Sequence, residues 1–359
     1  MTEHATERVA DRTAGEDESA GRRAGRRPRA LKAAGLVLAG LLVLGAGAAG
    51  WTYRHLDGNL TSVDVNNALG DDRPPRAMTT PQASPSASPV PSGSLNILVL
   101  GSDSRGGAEN ARLGGGEDSG ARSDTAMVVH LGEGRTTATV VSIPRDTLVT
   151  RPSCPLPSGR TTAPASGAMF NSAYAVGGPI CAVKTVESLT GIRMDHFLEI
   201  DFSGFADLVD ALGGVTVTTD EDIDDEDSHL TLPAGTHHLD GEQALALART
   251  RHGTGDGSDL GRIGLQQELV KALLDQVSTT NLLTSPSKLY RVADTATAAL
   301  TTDTDLDSLS ALTGLGRSLA DLTSDQVDMV TMPVVPAPSD ANRVVTKEPE
   351  ATELWESLR

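Results

Sequence analysis

Apolar and polar positions alternate between two periods along this chain. Three near-continuous runs of Val, Ile, Leu and Ala stand close together, at Leu95–Leu100, Ala126–Leu131 and Thr139–Ile143. Such runs predict strands buried on both faces. Met194–Asp201 alternates and predicts another strand. Ser203 then serves as an expected N-cap for a helix with Phe205, Leu208, Val209 and Leu212 on one face, stopped by Gly213. Helical features also mark Pro179–Thr190, which has Pro at its first turn and Gly191 past its end. Val215–Thr218 predicts a strand. Asp240 and Gln243 have the residue types of a capping box, ahead of a helix carrying Ala244, Leu245, Leu247 and Ala248. The next helix presents Leu265, Leu269, Leu273 and Val277. Further helices are expected over Leu282–Asp321, a strand over Val327–Met332 and a closing helical turn over Glu353–Leu358. Strands and helices in alternation predict an α/β class with helices on both faces of a sheet.

The N-terminal pattern is different. Residues 1–30 are polar and mixed in charge, without an apolar period, and read as a disordered cytoplasmic tail. Residues 31–53 read as a single transmembrane helix. Ala33–Trp51 is free of charge for about nineteen residues, enough to span a bilayer. Trp51 and Tyr53 stand where an interfacial aromatic belt belongs, and Arg22, Arg23, Arg26, Arg27 and Arg29 precede the span. The positive-inside rule then places the N-terminus in the cytoplasm and the bulk of the chain outside the cell membrane. The alternative is a cleaved signal peptide, whose apolar core is shorter. Residues 54–93 read as an extracytoplasmic linker, rich in Pro and Ser from Asp71 onward, and 94–359 as the folded domain.

Charge narrows the function. The net charge is −18, and aromatic residues make up 3%. Residues 1–32 hold eight Lys/Arg and six Asp/Glu, so the remainder carries −20. This excludes the basic stripes and stacking platforms of a nucleic-acid binder. An anionic substrate then needs a local basic pocket, so clustered Arg residues gain weight. The densest acidic run, Asp220–Asp227, matches no EF-hand spacing and reads as a solvated loop. Cys154 and Cys181 are the only cysteines. Outside the membrane they read as one disulfide, since a catalytic thiol pair has no C-x-x-C spacing to support it. The closed loop of about 28 residues contributes about 3 kcal/mol through chain entropy.

No P-loop, G-x-S-x-G, H-E-x-x-H or zinc-ligand spacing is present, and the adjacent His237 and His238 would point to opposite faces of a strand. What remains is Asp with Arg. Asp103/Arg105, Arg122/Asp124 and Arg145/Asp146 each abut an apolar run. Asx caps and surface ion pairs explain one such cluster. Three together fit a site where carboxylates hold a hard cation and guanidiniums grip phosphate. Arg249, Arg251, Arg262 and Gln266 add a second group on two consecutive helices, with Arg262 and Gln266 at i and i+4. The bland reading of Arg249 and Arg251 is complementing a helix dipole. Carboxylates with guanidiniums suit phosphoryl transfer, where positioning and charge neutralisation make up most of the catalysis.

The segments LNILVLGSDSR, ARSDTAMVV, VSIPRDT, FNSAYAVGG, DHFLEIDFSGFADLVDALGGV, LDGEQALALARTR and GRIGLQQ occur in this order. In them the chain resembles the LytR–CpsA–Psr proteins, from roughly Arg54 to the C-terminus. The resemblance implies an α/β/α sandwich around a central mixed β-sheet, behind a single N-terminal transmembrane helix, with a hydrophobic tunnel for a prenyl chain. It implies a membrane-anchored, Mg²⁺-dependent phosphotransferase that moves a teichoic-acid-like glycopolymer from a polyprenyl pyrophosphate carrier to peptidoglycan. By motif, Asp103 and Asp124 become metal ligands. Arg122, Arg145, Arg249, Arg251 and Arg262, with Gln266, bind the pyrophosphate. Asp103, Arg122, Arg145 and Asp146 form the catalytic set, Asp146 as an orienter of Arg145 or a base. One departure is Leu265, where the family often has Arg. Two alternatives stay open: a prenyl-pyrophosphate phosphatase using water as acceptor, and a non-catalytic module binding lipid-linked polymer, whose binding would survive metal removal. The topology is directly testable: a C-terminal reporter is expected to be active only outside the cytoplasm, and cytoplasmic activity would refute the N-in arrangement.

Overall fold

The computed structural model describes residues 47–76, 93–103, 123–156, 158–251, 259–280, 285–320 and 322–359. Seven strands form the central sheet: β1 (Thr61–Val63), β2 (Leu95–Ser102), β3 (Ser123–Leu131), β4 (Ala138–Ser142), β5 (His196–Asp201), β6 (Leu300–Asp303) and β7 (Val327–Thr331). Their order is β1-β6-β5-β2-β3-β4-β7. The β2/β5, β1/β6 and β4/β7 pairs are parallel and the β2/β3, β3/β4 and β5/β6 pairs antiparallel, so the sheet is mixed.

The apolar runs explain the layering. Successive side chains in a strand point to opposite faces. Leu98, Leu100, Ala126, Val128 and Val141 face one side, where they pack with Ala182, Val183 and Val186 of a helix over Asn171–Thr190. Ile97, Met127, Leu131, Ala138 and Val140 face the other, against Val270 and Leu274. The helices in chain order are α1 (Val65–Leu69), α2 (Asn171–Thr190), α3 (Phe202–Leu212), α4 (Gly241–Arg249), α5 (Asp259–Thr279), α6 (Pro286–Ala299), α7 (Leu309–Ser318) and α8 (Glu350–Ser357). Central strands are therefore apolar at most positions because both faces are covered, as the sequence predicted; the exceptions include Asn96 and His130, which bond each other across β2 and β3 at 2.8 Å. A further apolar cluster joins Val209 of α3, Val215, Val217 and Leu239 of a hairpin, and Ala244 and Leu247 of α4. There α3 and α4 approach closely at Gly241: a Cβ built on it would lie 2.1 Å from the Ala206 carbonyl oxygen. No side chain fits that spacing. The Gly241 amide donates to Asp210 Oδ1 at 2.7 Å, which holds the two helices together.

Several expectations are corrected. The predicted linker over 54–93 is folded in its first part. Strand β1 joins the sheet edge, Val65 and Leu69 are buried in the main core, and Arg73 is enclosed against Glu187 at 2.6 Å. A stretch with sparse apolar residues can still fold when its few apolar side chains cap a core formed elsewhere. The folded domain therefore begins well before Ser94. Between Ile143 and Pro179, where the sequence pattern predicts no strand or helix, the chain forms a hairpin, Leu148–Arg151 with Ala165–Met169, and the first half of α2. Helical geometry breaks at Gly177 and Gly178, the latter at φ +62°, and resumes at Pro179, the predicted start. Asp201 caps α3 by accepting from the Gly204 amide at 2.8 Å, in place of Ser203. The acidic run is only partly solvated: Ile223–Asp225 is a strand, and buried Asp225 accepts from the Asp227 and Ser228 amides. The capping box of Asp240 and Gln243 is present.

Residues 47–58 are helical, and 47–54 form a unit of their own, apart from the domain over His55–Arg359. The predicted tail over 1–30 and the span up to residue 46 lie outside the described residues. Among the described residues, no helix is long and apolar enough to cross a membrane.

Cys154 and Cys181 form a disulfide, with Cα atoms 5.2 Å apart, both fully enclosed and packed on Ala173. It ties the loop after the Leu148–Arg151 strand to the second half of α2. Cys154→Ser is expected to lower stability by about 3 kcal/mol, read by denaturant unfolding. A loss below about 0.5 kcal/mol, the range of an ordinary surface change, would show that the closed loop does not constrain the unfolded chain.

Candidate active site

One end of the sheet gathers the charged residues. Strands β2 and β3 run antiparallel, with Ser102 opposite Ser123, so Asp103 and Asp124 emerge at the same rim. β5 runs parallel to β2 and brings Asp201 level with Ser102. The chain leaves β4 at this rim through the turn holding Arg145 and Asp146. The C-terminal end of α4 supplies Arg249 and, just beyond it, Arg251; the first turns of α5 supply Asp259, Arg262 and Gln266.

These side chains form a chain of alternating charge. Arg145 Nη1 donates to Asp124 Oδ1 at 2.6 Å, and Arg145 Nε stands 3.2 Å from Asp259 Oδ1. Asp259 also pairs with Arg262. Asp146 lies between Arg145 at 3.9 Å and Arg343 at 3.6 Å. Gln266 is buried and donates to the Ala248 carbonyl at 2.9 Å, fixing α5 to the end of α4. The Arg251 amide donates to buried Asp225 at 2.6 Å, so the acidic hairpin positions that residue. Arg249 stacks over the Phe202 ring, 5.0 Å from its centroid.

The electrostatics follow from burial and crowding. Burial lowers the pKa of Arg249; Arg251 adds to the effect, while Asp124 and Asp103 oppose it. Burial likewise lowers that of Arg262, where Asp259 opposes and Arg145 and Arg251 reinforce. Burial acts downward on Arg145 as well, but Asp124, Asp259 and Asp146 together raise it. All three remain cations. Carboxylates thus outweigh burial at Arg145, while burial prevails at Arg249 and Arg262, and among the described residues Arg262 Nε is buried with no hydrogen-bond partner. Unsatisfied buried donors on cations are the complement of a bound anion.

Beneath this rim lies a cavity of about 310 Å³. Its mouth carries Asp124, Asp227, Arg249, Arg251 and Arg262, and its interior is lined by Val99, Met127, Phe205, Leu245, Leu269 and Leu273. It is therefore charged at one end and hydrocarbon within.

Residues 52–359 match the LytR_cpsA_psr family. The chain belongs to this family. Among its relatives is the probable cell wall biosynthesis protein LcpB of Corynebacterium glutamicum, 36% identical over 61% of this chain and 50% of that protein. Another is the polyisoprenyl-teichoic acid–peptidoglycan teichoic acid transferase TagV of Bacillus subtilis, 32% identical over 65% of this chain and 57% of that one. The chain thus spans about half the length of the curated relatives it matches. The crystal structure of B. subtilis TagV superposes with a TM-score of 0.57 at 26% identity, covering 74% of this chain and 96% of that one. A structure of TagT bound to LI-WTA gives a TM-score of 0.57 at 25% identity, over 81% of this chain and 96% of that one. The mixed α/β fold with its central mixed sheet is the one these LytR–CpsA–Psr structures share.

Of the residues expected in a LytR–CpsA–Psr site, Asp124, Arg249, Arg251, Arg262 and Gln266 line the cavity. Arg145 joins them through Asp124, and Asp103 stands at the same rim, near enough to act on Arg249. Arg122 and Arg105 lie outside the described residues. His237 and His238 bond the Pro233 and Gly213 carbonyls and take no part. Sequence reasoning missed Asp259, Phe202 and Asp227. The first had a signal, since Asp259 and Arg262 are three apart, the spacing of a helical ion pair. Among the described residues no three His, Cys, Asp or Glu side chains gather into a metal cage. Asp103 and Asp124 emerge at one rim and are the oxygen-donor type that a hard cation takes.

Arg145→Ala leaves three carboxylates without their shared cation and is expected to destabilise the fold by about 3 kcal/mol, with Arg145→Lys losing less. Denaturant unfolding checks this; two variants as stable as the wild type would mean that solvent screens these pairs.

Proposed function

We propose that this LytR–CpsA–Psr protein is a phosphotransferase that moves a cell-wall glycopolymer from a polyprenyl pyrophosphate carrier to peptidoglycan. The observation that carries the reading is the cavity, cationic at its mouth and apolar within. A polyprenyl pyrophosphate has the same two parts, an anionic head and a long hydrocarbon tail. Several relatives are named as teichoic acid transferases, in agreement with this chemistry.

The roles follow from placement. Leu245, Leu269, Leu273 and Phe205 take the first part of the prenyl chain out of water. Arg249, Arg251 and Arg262 neutralise the pyrophosphate oxygens, and the Phe202 ring fixes the Arg249 guanidinium. Arg145, held by Asp124, presents a planar fork toward the same anion. A hydroxyl of the acceptor attacks the polymer-side phosphorus; the bond to the bridging oxygen breaks, polyprenyl phosphate leaves with the electron pair, and the hydroxyl proton passes to the leaving phosphate. The guanidiniums stabilise the charge that builds on the leaving oxygens. Asp146 contacts both Arg145 and Arg343, the placement of an orienter of Arg145. Asp103 and Asp124 would hold Mg²⁺, which supplies the positive charge that lets carboxylate and phosphate share one site. The proposed setting is the outer side of the cell membrane, where both carrier and peptidoglycan are met.

The test is the full chain with lipid-linked polymer, peptidoglycan and a Mg²⁺ titration, with product analysis. Asp103→Ala and Asp124→Ala are each expected to cost on the order of 2.7–4 kcal/mol in the barrier and to flatten the Mg²⁺ dependence, in folded protein. Near wild-type rates in both variants would reduce these residues to turn caps.

A further inference from the structure

We propose that Asp259 is a positioning residue: it holds Arg145 and Arg262 together as one anion-gripping pair. The inference rests on the pyrophosphate reading above and names a residue outside that ligand set. Arg145 belongs to the turn after β4, and Arg262 lies in the first turn of α5. They are far apart in sequence and carry like charge, so they repel when brought to one rim. A single oxygen, Asp259 Oδ1, faces both: it pairs with Arg262 and stands 3.2 Å from Arg145 Nε. Arg262 is only 3% exposed, and water cannot replace that carboxylate. Among the described residues, Asp259 Oδ2 and Arg262 Nε are buried without a hydrogen-bond partner. The carboxylate engages one nitrogen of each guanidinium, Nε of Arg145 and Nη2 of Arg262, and so fixes where the two stand. The N–H groups outside these contacts stay available to phosphate oxygens.

This role and simple charge repulsion predict opposite signs. Asp259 is an anion beside an anion site. If it acted only through its charge, D259N would bind pyrophosphate more tightly. If it positions the two guanidiniums, D259N binds more weakly despite losing a repulsive charge. The conservative D259E keeps the charge and can still bridge.

The experiment is calorimetric binding of inorganic pyrophosphate and of geranyl pyrophosphate to the full chain in detergent, for wild type, D259N and D259E, each checked for cooperative thermal unfolding. D259N is expected to bind both probes at least tenfold more weakly, and D259E to recover to within about threefold of wild type. D259N that binds as well as or better than wild type overturns the positioning role alone. So does D259E that binds no better than D259N; if D259N unfolds, D259E is compared with wild type directly and must stay within threefold, and if D259E unfolds, D259N alone decides. Wild type that binds neither probe overturns the pyrophosphate reading itself, and the role of Asp259 falls with it.

Discussion

Crowded arginine charge is the constraint on which this structure turns. Arg145, Arg249, Arg251 and Arg262 are brought to one rim of the sheet, three of them substantially withdrawn from water. Guanidiniums in such a place repel one another and lose hydration. The fold offsets this with carboxylates placed between them: Asp124 and Asp259 on Arg145, Asp259 on Arg262, and Asp225 on the Arg251 backbone. The offset is complete at Arg145 and incomplete at Arg249 and Arg262, where burial prevails. On the proposed reading, that unmatched charge is where an anion gains most.

The scaffold makes this arrangement rigid. The strands carrying Asp103 and Asp124 are buried on both faces and cannot slip by one residue without turning their apolar side chains to the wrong layer. Helices α4 and α5, which carry the other arginines, are fixed to α3 and to each other by Gly241, Gln266 and a shared apolar cluster. The same apolar side chains line the cavity. The site is thus a place where the core between sheet and helices was left open at its charged end.

Charge also selects. A domain that is acidic overall repels anions nearly everywhere on its surface. The cationic mouth is a local exception joined to a hydrocarbon interior, and on the proposed reading an anion with a long apolar tail uses both features where a free phosphate meets only the first. The acidic hairpin over Asp220–Asp227 is part of this design, since it places Arg251 and carries Asp227 to the mouth.

Local signals sufficed for much of this protein. Apolar runs in β2, β3 and β4 report burial on both faces, because a polar group there needs a partner, as Asn96 and His130 supply to each other. The capping box at Asp240 and the stop at Gly213 depend only on neighbours in the chain, and both are present. The ordered Asp and Arg motifs marked the rim, since each lies at the end of an apolar run. Tertiary structure decided the rest. Residues Thr61–Val63 carry no strand pattern of their own; they pair because β6 leaves an edge open beside them. Asp225 looked solvated because its neighbours are acidic, yet it is buried and accepts from the Arg251 amide, which only folding brings near. The role of Asp259 was illegible for the same reason: its ion pair with Arg262 is local, but its contact with Arg145 crosses the fold. A residue's partners along the chain follow from spacing, whereas its partners across the chain depend on which surfaces the core brings together.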